Sequence, residues 1–404
     1  MAFSWFAVTE KASNICRKQC GVQLSGGRDW KKMVGRMESG SKRQANFELL
    51  RIVAMFMIIC LHYLVKGRVA MPFPFVTKEN PVSVFAWLVE AFCIVAVNCY
   101  VLISGYFFVE SAWKPGRLVS LLFQVLFYSL LIPVLFLGAG LVSAGDFDVF
   151  DWIGFIFPFG TEHFWFATAY FVMYLFAPFL AAGIRQMKKR DLQILIALLL
   201  AFFSLEKTIL PVHLATDRYG YDFGWFLCVF VVAGYIRQYG IPWLEKQSRA
   251  VGAYAFSCLL IWLLALLSNT FGGEIQTFAL YADALYNYNH LLCAAGAVSL
   301  FYVFKNLRIK EGRFAGVVRK LAPFTFGVYL LHEHMLVRYE WMEWFGVEKV
   351  KESFLFVPHL LLCVLIVYTV GTAVDFVRAW VFARVQAVAG RVLRQSETVT
   401  KDKR

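Results

Sequence analysis

The chain has 404 residues, 60% of them hydrophobic and 18% aromatic, with a formal net charge of +13. Soluble domains are about 45–50% apolar, so the composition excludes an ordinary soluble enzyme and points to an all-α, polytopic membrane protein. The positive surplus would suit nucleic acid, but most Lys and Arg residues fall at the two ends and in short loops on one side of the expected spans, which argues against that partner.

Residues 1–44 are basic and mixed, with neither a continuous apolar core nor a small-residue cleavage pattern, so they do not read as a signal peptide. They are expected to form a cytosolic tail, with Met33 and Met37 offering shorter starts. A membrane domain is expected over residues 45–384 and a polar cytosolic tail over 385–404.

Spanning helices need roughly 20 apolar residues. Ten such segments are expected, at about 47–66, 83–108, 118–140, 163–182, 192–210, 222–239, 251–270, 286–304, 321–338 and 356–378. The Lys and Arg bias places both termini in the cytosol. The basic cytosolic face would also suit a polyanionic substrate.

The first span, FELLRIVAMFMIICLHYLVK, carries Arg51 and, eleven residues on, His62. At about 100° and ~1.5 Å per residue, the two share one face to within roughly 20° and stand about 16 Å apart along the axis. Ionisable groups inside a membrane are costly and mark functional paths. A local ion pair between Glu48 and Arg51 is the plainer alternative for the charged end.

Polar groups in the second span are Asn98 and Ser104, and Gly105 permits close helix approach. Lys114 and Arg117 follow on the cytosolic side, either as ordinary anchors or, with Arg51, as a clamp for a phosphorylated ligand. Before the fourth span, Asp146, Asp148, Asp151 and Glu162 cluster with Trp152, Phe159, Phe164 and Trp165. This is an interfacial aromatic belt or a carbohydrate-facing mouth.

The ninth span contains His332-Glu333-His334, which is not the HExxH zinc motif because its histidines are two residues apart and face opposite sides of a helix. No metal site is expected. Tyr329 to His332 and His334 to Arg338 would be helical pairs. Glu90, Asp222, His290 and Asp375 are further polar residues of open role. The nine cysteines show no CxxC or Cys/His ligand spacing and read as small buried residues.

FELLRIVAMFMIICLHY, VNCYVLISGYFF and FTFGVYLLHEHMLVR together resemble the membrane-bound acyltransferase family 3, the stand-alone type without an SGNH domain. Members carry Arg or Lys, ten residues and then His in the first span, as Arg51 and His62 do. Many carry RxxR after the second span, where this chain has Lys114 in the first place and Arg117 in the last. HFWFATAYFVMYLFAPFL resembles the family's His–aromatic–Trp span at His163, Trp165, Tyr170 and Pro178.

The resemblance implies an O-acetyltransferase of the bacterial plasma membrane that moves an acetyl group from acetyl-CoA to a hydroxyl of a cell-surface glycan, as in capsule and exopolysaccharide synthesis. His62 and Arg51 are the catalytic candidates, with His62 as general base or acyl carrier, and Arg51, Lys114 and Arg117 are given to acyl-CoA. Asn98, Ser104, His163, Trp165, Tyr329 and His332 are the candidates for acceptor or oxyanion contacts. A flippase for a lipid-linked saccharide and a non-catalytic subunit of a polysaccharide-synthesis complex are the competing expectations.

Overall fold

The computed structural model describes residues 43–161, 163–210, 218–272 and 276–401, and among these the regular structure is entirely helical. The first span is helix α1, Ala45–Lys66; it contains no Pro or Gly and stops at Gly67. The second is two helices, α2 (Pro81–Cys93) and α3 (Ala96–Phe108), joined by a turn at Ile94–Val95. Next comes α4 (Pro115–Gly138), opened by a proline in its first turn, where the missing N–H has no helical partner to lose.

The short apolar run after α4 forms α5, Val149–Ile156, and α6 follows at Trp165–Gln186. Lys189–Ile209 is one helical stretch, α7, with a π-helical turn at Ala201–Leu205. The remaining helices are α8 (Phe223–Tyr239), α9 (Gln247–Gly272), α10 (Gln276–Ala284), α11 (Leu291–Lys305), α12 (Arg313–Leu321), α13 (Thr325–His332), α14 (Glu340–Trp344) and α15 (Phe356–Lys401).

Eight of these helical stretches are long and apolar enough to cross a bilayer: α1, α2–α3, α4, α6, α7, α9, α12–α13 and the first 33 residues of α15. Two shorter apolar helices, α8 and α11, fall on the other two expected spans. The last helix runs on through Lys401, so the expected polar tail continues it.

Several polar residues of open role turn out to terminate helices. Asp222 caps α8, accepting the Trp225 N–H at 3.0 Å, and His290 caps α11 by accepting from Leu292 N at 3.2 Å. Asp148 and Asp151 form a reciprocal capping box on α5, and Asp146 does the same with Ser143 on the turn before it. Three of the four outer acids therefore have local backbone partners; Glu162 lies outside the described residues.

The interior of the bundle is built from α1, α2–α3 and α8, whose inward faces are buried. α3 meets α8 at Gly105, where an added Cβ would lie 2.8 Å from the Ala233 Cβ and 3.2 Å from the Phe230 backbone, so glycine sets the helix spacing. α13 meets α15 in the same way, with Gly371 against the backbone of Val328 and Gly327 against Asp375.

Besides the divided second span, the ninth expected span differs. The continuous ninth helix over 321–338 is instead α12, a 3-10 turn at Ala322–Phe324, and α13, which ends at His332. Glu333–Arg338 form turns, with the His334 carbonyl accepting from both Val337 N and Arg338 N at 2.8 Å. His334 is thus off the helix, and its expected side-chain pairing with Arg338 is replaced by this backbone bond.

Candidate active site

His62 lies on the last two turns of α1, where α13 ends beside it. Its Nδ1 is 3.0 Å from His332 Nε2 and 3.1 Å from Glu333 Oε1, while Lys66, one turn further along α1, forms an ion pair with the same Glu333 oxygen. The His332 Nδ1 donates to the Val328 carbonyl at 2.6 Å. That bond fixes the order of protons in a neutral pair. His332 Nε2 becomes an acceptor, the His62 Nδ1–H donates to it and to Glu333, and the lone pair of His62 Nε2 is left free.

Beside His62 is a cavity with about 390 Å³ of empty space, walled by Met55, Ile58, Tyr100, Trp165, Tyr288 and Tyr329 among others. The Tyr329 hydroxyl is buried there and has no hydrogen bond of ordinary geometry among the described residues. Trp165 stacks on Tyr288 at 5.6 Å between ring centres. The wall is therefore aromatic, with one basic nitrogen and one unengaged hydroxyl.

The rest of the region is braced. Tyr63, next to His62, hydrogen-bonds the His359 Nδ1 at 2.7 Å, and the other ring nitrogen of His359 meets the Phe345 carbonyl at 3.0 Å. α15 and the loop after α14 are thereby tied to the His62 end of α1.

The Arg51 end is different in kind. Its guanidinium pairs with Glu48, so the local alternative read from spacing is formed, and its carbonyl accepts from Tyr100 OH at 2.6 Å. Arg43 reaches the other Glu48 oxygen at 3.7 Å. Burial lowers the Arg43 pKa, and after the opposing pull of Glu48 the like charges of Arg51 and Arg117 lower it further. Arg43 and Arg51 thus share one carboxylate, and the charge of Arg117 is felt at Arg43. Lys114 sits exposed at the cap of α4, and its carbonyl accepts from Tyr174 OH at 3.2 Å.

The other candidates separate by whether their polar atoms are free. The amide of Asn98 is used at both ends: it donates to the Tyr288 carbonyl at 2.7 Å and accepts from Trp225 Nε1 at 2.8 Å. Ser104 donates to the Tyr100 carbonyl at 2.9 Å and meets Tyr170 OH at 3.1 Å. These two are structural ties between helices. His163 is 7% exposed, and neither of its nitrogens is hydrogen-bonded among the described residues.

Glu333 and Lys66 were not reached from the sequence. The HEH triplet was tested for spacing within one helix, whereas its partner is supplied by α1. His62, His332 and Glu333 place one ligand atom each within 4.8 Å of one another, the composition that metals use. The Lys66 ammonium on Glu333 sets a positive charge against any cation there, so the group works better as a hydrogen-bond relay than as a metal site.

A bundle of membrane-length helices that buries an imidazole pair beside an aromatic-walled pocket defines a polytopic membrane protein with a polar cluster in its interior. The family model described as an acyltransferase domain matches residues 44–378. The chain belongs to that family, acyltransferase family 3, and is a membrane acyltransferase. Comparison with curated proteins and with solved structures gives no match.

Proposed function

We propose that this protein is an O-acetyltransferase that carries an acetyl group from acetyl-CoA on the cytosolic side to a hydroxyl of a cell-surface glycan. The observation that carries the reading is the His62 relay, which leaves one imidazole lone pair free on a residue that lines an aromatic-walled pocket. His62 Nε2 takes the proton of the acceptor hydroxyl as its oxygen attacks the thioester carbonyl. The C–S bond breaks, the acyl–oxygen bond forms, and the proton returns from His62 to the CoA sulfur.

Glu333 supports this step electrostatically. Its carboxylate at 3.1 Å from Nδ1 stabilises the imidazolium that forms, the part a buried aspartate plays in a serine hydrolase triad. Tyr329 is the best-placed donor for the oxyanion, because its hydroxyl is in the cavity wall and unengaged. Asn98 is less suited, since both ends of its amide already have partners.

The donor's phosphates fit the other end of α1. Arg43, Arg51 and Arg117 carry more positive charge than Glu48 balances, and guanidinium forks suit phosphate oxygens. Arg43 thereby joins the Arg51, Lys114 and Arg117 set expected from the sequence.

The test is CoA release from acetyl-CoA by purified protein, followed with a thiol reagent, together with the O-acetyl content of surface polysaccharide by NMR. His62→Ala should lower both by on the order of 10²–10⁴-fold at normal abundance and helix content. Wild-type activity in that variant, or no CoA release from the wild type, would end the proposal; a flippase predicts the latter.

A further inference from the structure

Among the described residues, one group of buried polar atoms without hydrogen bonds belongs to His163, His334, Arg338 and Trp341, beyond His62 on the expected outer side. Arg338 is half-buried, its Nε is buried without a hydrogen bond, and no carboxylate among the described residues pairs with it. Its guanidinium lies 5.5 Å from the centre of the Tyr339 ring, and the Lys66 ammonium lies 5.6 Å from the same ring. Tyr339 itself is 57% exposed. Two cations thus lie over one exposed tyrosine ring, and Glu333, whose charge acts on both, forms a salt bridge with Lys66 alone.

Behind this rim stand two buried imidazoles. His163 and His334 approach to 4.6 Å between ring centres, and Phe155 stacks on His334 at 6.0 Å. Both His163 nitrogens and His334 Nε2 lack hydrogen bonds, as does the indole N–H of Trp341 nearby. Burial first, and then Arg338, lowers the His163 pKa to about 4, so this ring is neutral at working pH. Buried polar groups without partners are rare and costly, and an unpaired half-buried arginine more so. Acids do follow in the chain, but Glu340 and Glu343 are exposed and bridge to neither cation.

We propose that Arg338, Lys66 and Tyr339 form the entry subsite for the acceptor, and that this subsite takes an acidic saccharide whose sugar carries a carboxylate or phosphate. The open tyrosine face offers a platform for a sugar ring, and the Arg338 fork pairs with the anionic substituent. The buried donors behind complete the set. This deepens the acyl-transfer reading and rests on it for the identity of the ligand as an acceptor.

The experiment measures binding rather than turnover. Protein in discs of neutral phosphatidylcholine is titrated with a galacturonic-acid tetrasaccharide and with its neutral galactose counterpart, following tryptophan fluorescence. The acidic sugar should bind at least about tenfold more tightly, and the advantage should fold away as salt is raised. Arg338→Gln should remove it, while Arg338→Lys keeps part of it. Equal binding of both sugars overturns the proposal, as does an undiminished advantage in Arg338→Gln.

Complete displacement of the sugar by phosphatidylglycerol in the disc also overturns it, since the cations would then hold a lipid headgroup. Should Arg338→Gln fail to fold, the wild-type comparison of acidic with neutral sugar and its salt dependence decide alone. Acidic-sugar binding by a protein that never releases CoA would remove the acyl-transfer reading and leave the binding site standing.

Discussion

Two buried polar networks, one on each side of α13, show what separates scaffold from site. At Gly327 near the start of this helix, Asp375 is fully buried and accepts from Gln124 and Tyr128 at 3.0 Å each and from Arg378 Nη2 at 2.9 Å. These donors tie α4 to α15, and Asp375 packs against Gly327 of α13. At the other end, His332 and Glu333 meet His62 and Lys66, and there a lone pair, a tyrosine hydroxyl and several nitrogens remain unmatched. Saturation holds a bundle together; a gap in it is where a substrate's polar atoms fit.

The contrast can be broken from the scaffold side first. Asp375→Ala strands Arg378 beside an apolar helix contact, and losing one partner of a buried pair costs about 3–5 kcal/mol. Its thermal midpoint in detergent should fall sharply, while CoA release per folded molecule stays within a few-fold of the wild type. A full-strength midpoint would show that the network is not structural.

Glu333→Gln probes the site in the opposite way. The amide keeps shape and loses the charge that supports the His62 imidazolium, so CoA release should drop on the order of 10²-fold with little change in midpoint. A drop in stability without a drop in turnover would move Glu333 into the scaffold class.

Asn98 is the intermediate case. Asn98→Ala leaves the Tyr288 carbonyl and the Trp225 indole N–H without their partner, at a cost of about 1–3 kcal/mol. Stability should fall and CoA release per folded molecule should persist, because no part of the amide is free for chemistry.

The smallest expected effect is in pH. His163 has a folded pKa of about 4, lowered mainly by burial, against an ordinary value near 6.5. A lowered histidine pKa favours the fold fully above about pH 6.5, and that contribution is lost as pH falls toward 4. The midpoint of the wild type should therefore decline over this window more steeply than that of His163→Gln. Parallel curves would mean that the ring is already solvated.

Much of the fold was legible because the apolar runs are long and the basic loops alternate; α1, α4, α6 and α9 fall close to the expected spans. The placing of His62 and Arg51 on one stripe of α1 was legible from helical spacing, as was the local Glu48–Arg51 pair that the structure forms. The break after His332 was not, since LLHEHMLVR keeps an apolar pattern through residues whose backbone leaves the helix. Nor was the relay, because His62 and His332 are 270 residues apart and only packing brings them to 3.0 Å. Polar residues such as Asn98, Asp222 and His290 looked alike in sequence and were sorted only by their partners.

The last helix has a further consequence as a measuring rod. Its 46 residues, at about 1.5 Å each, make a cylinder about 70 Å long, against roughly 30 Å of hydrocarbon. His359, clasping Tyr63 beside His62, and Asp375, bearing on Gly327, are sixteen residues apart on this rod, or about 24 Å. One continuous cylinder therefore spans most of the membrane between the two networks and then runs on for about 20 Å past the 33 residues apolar enough to cross it.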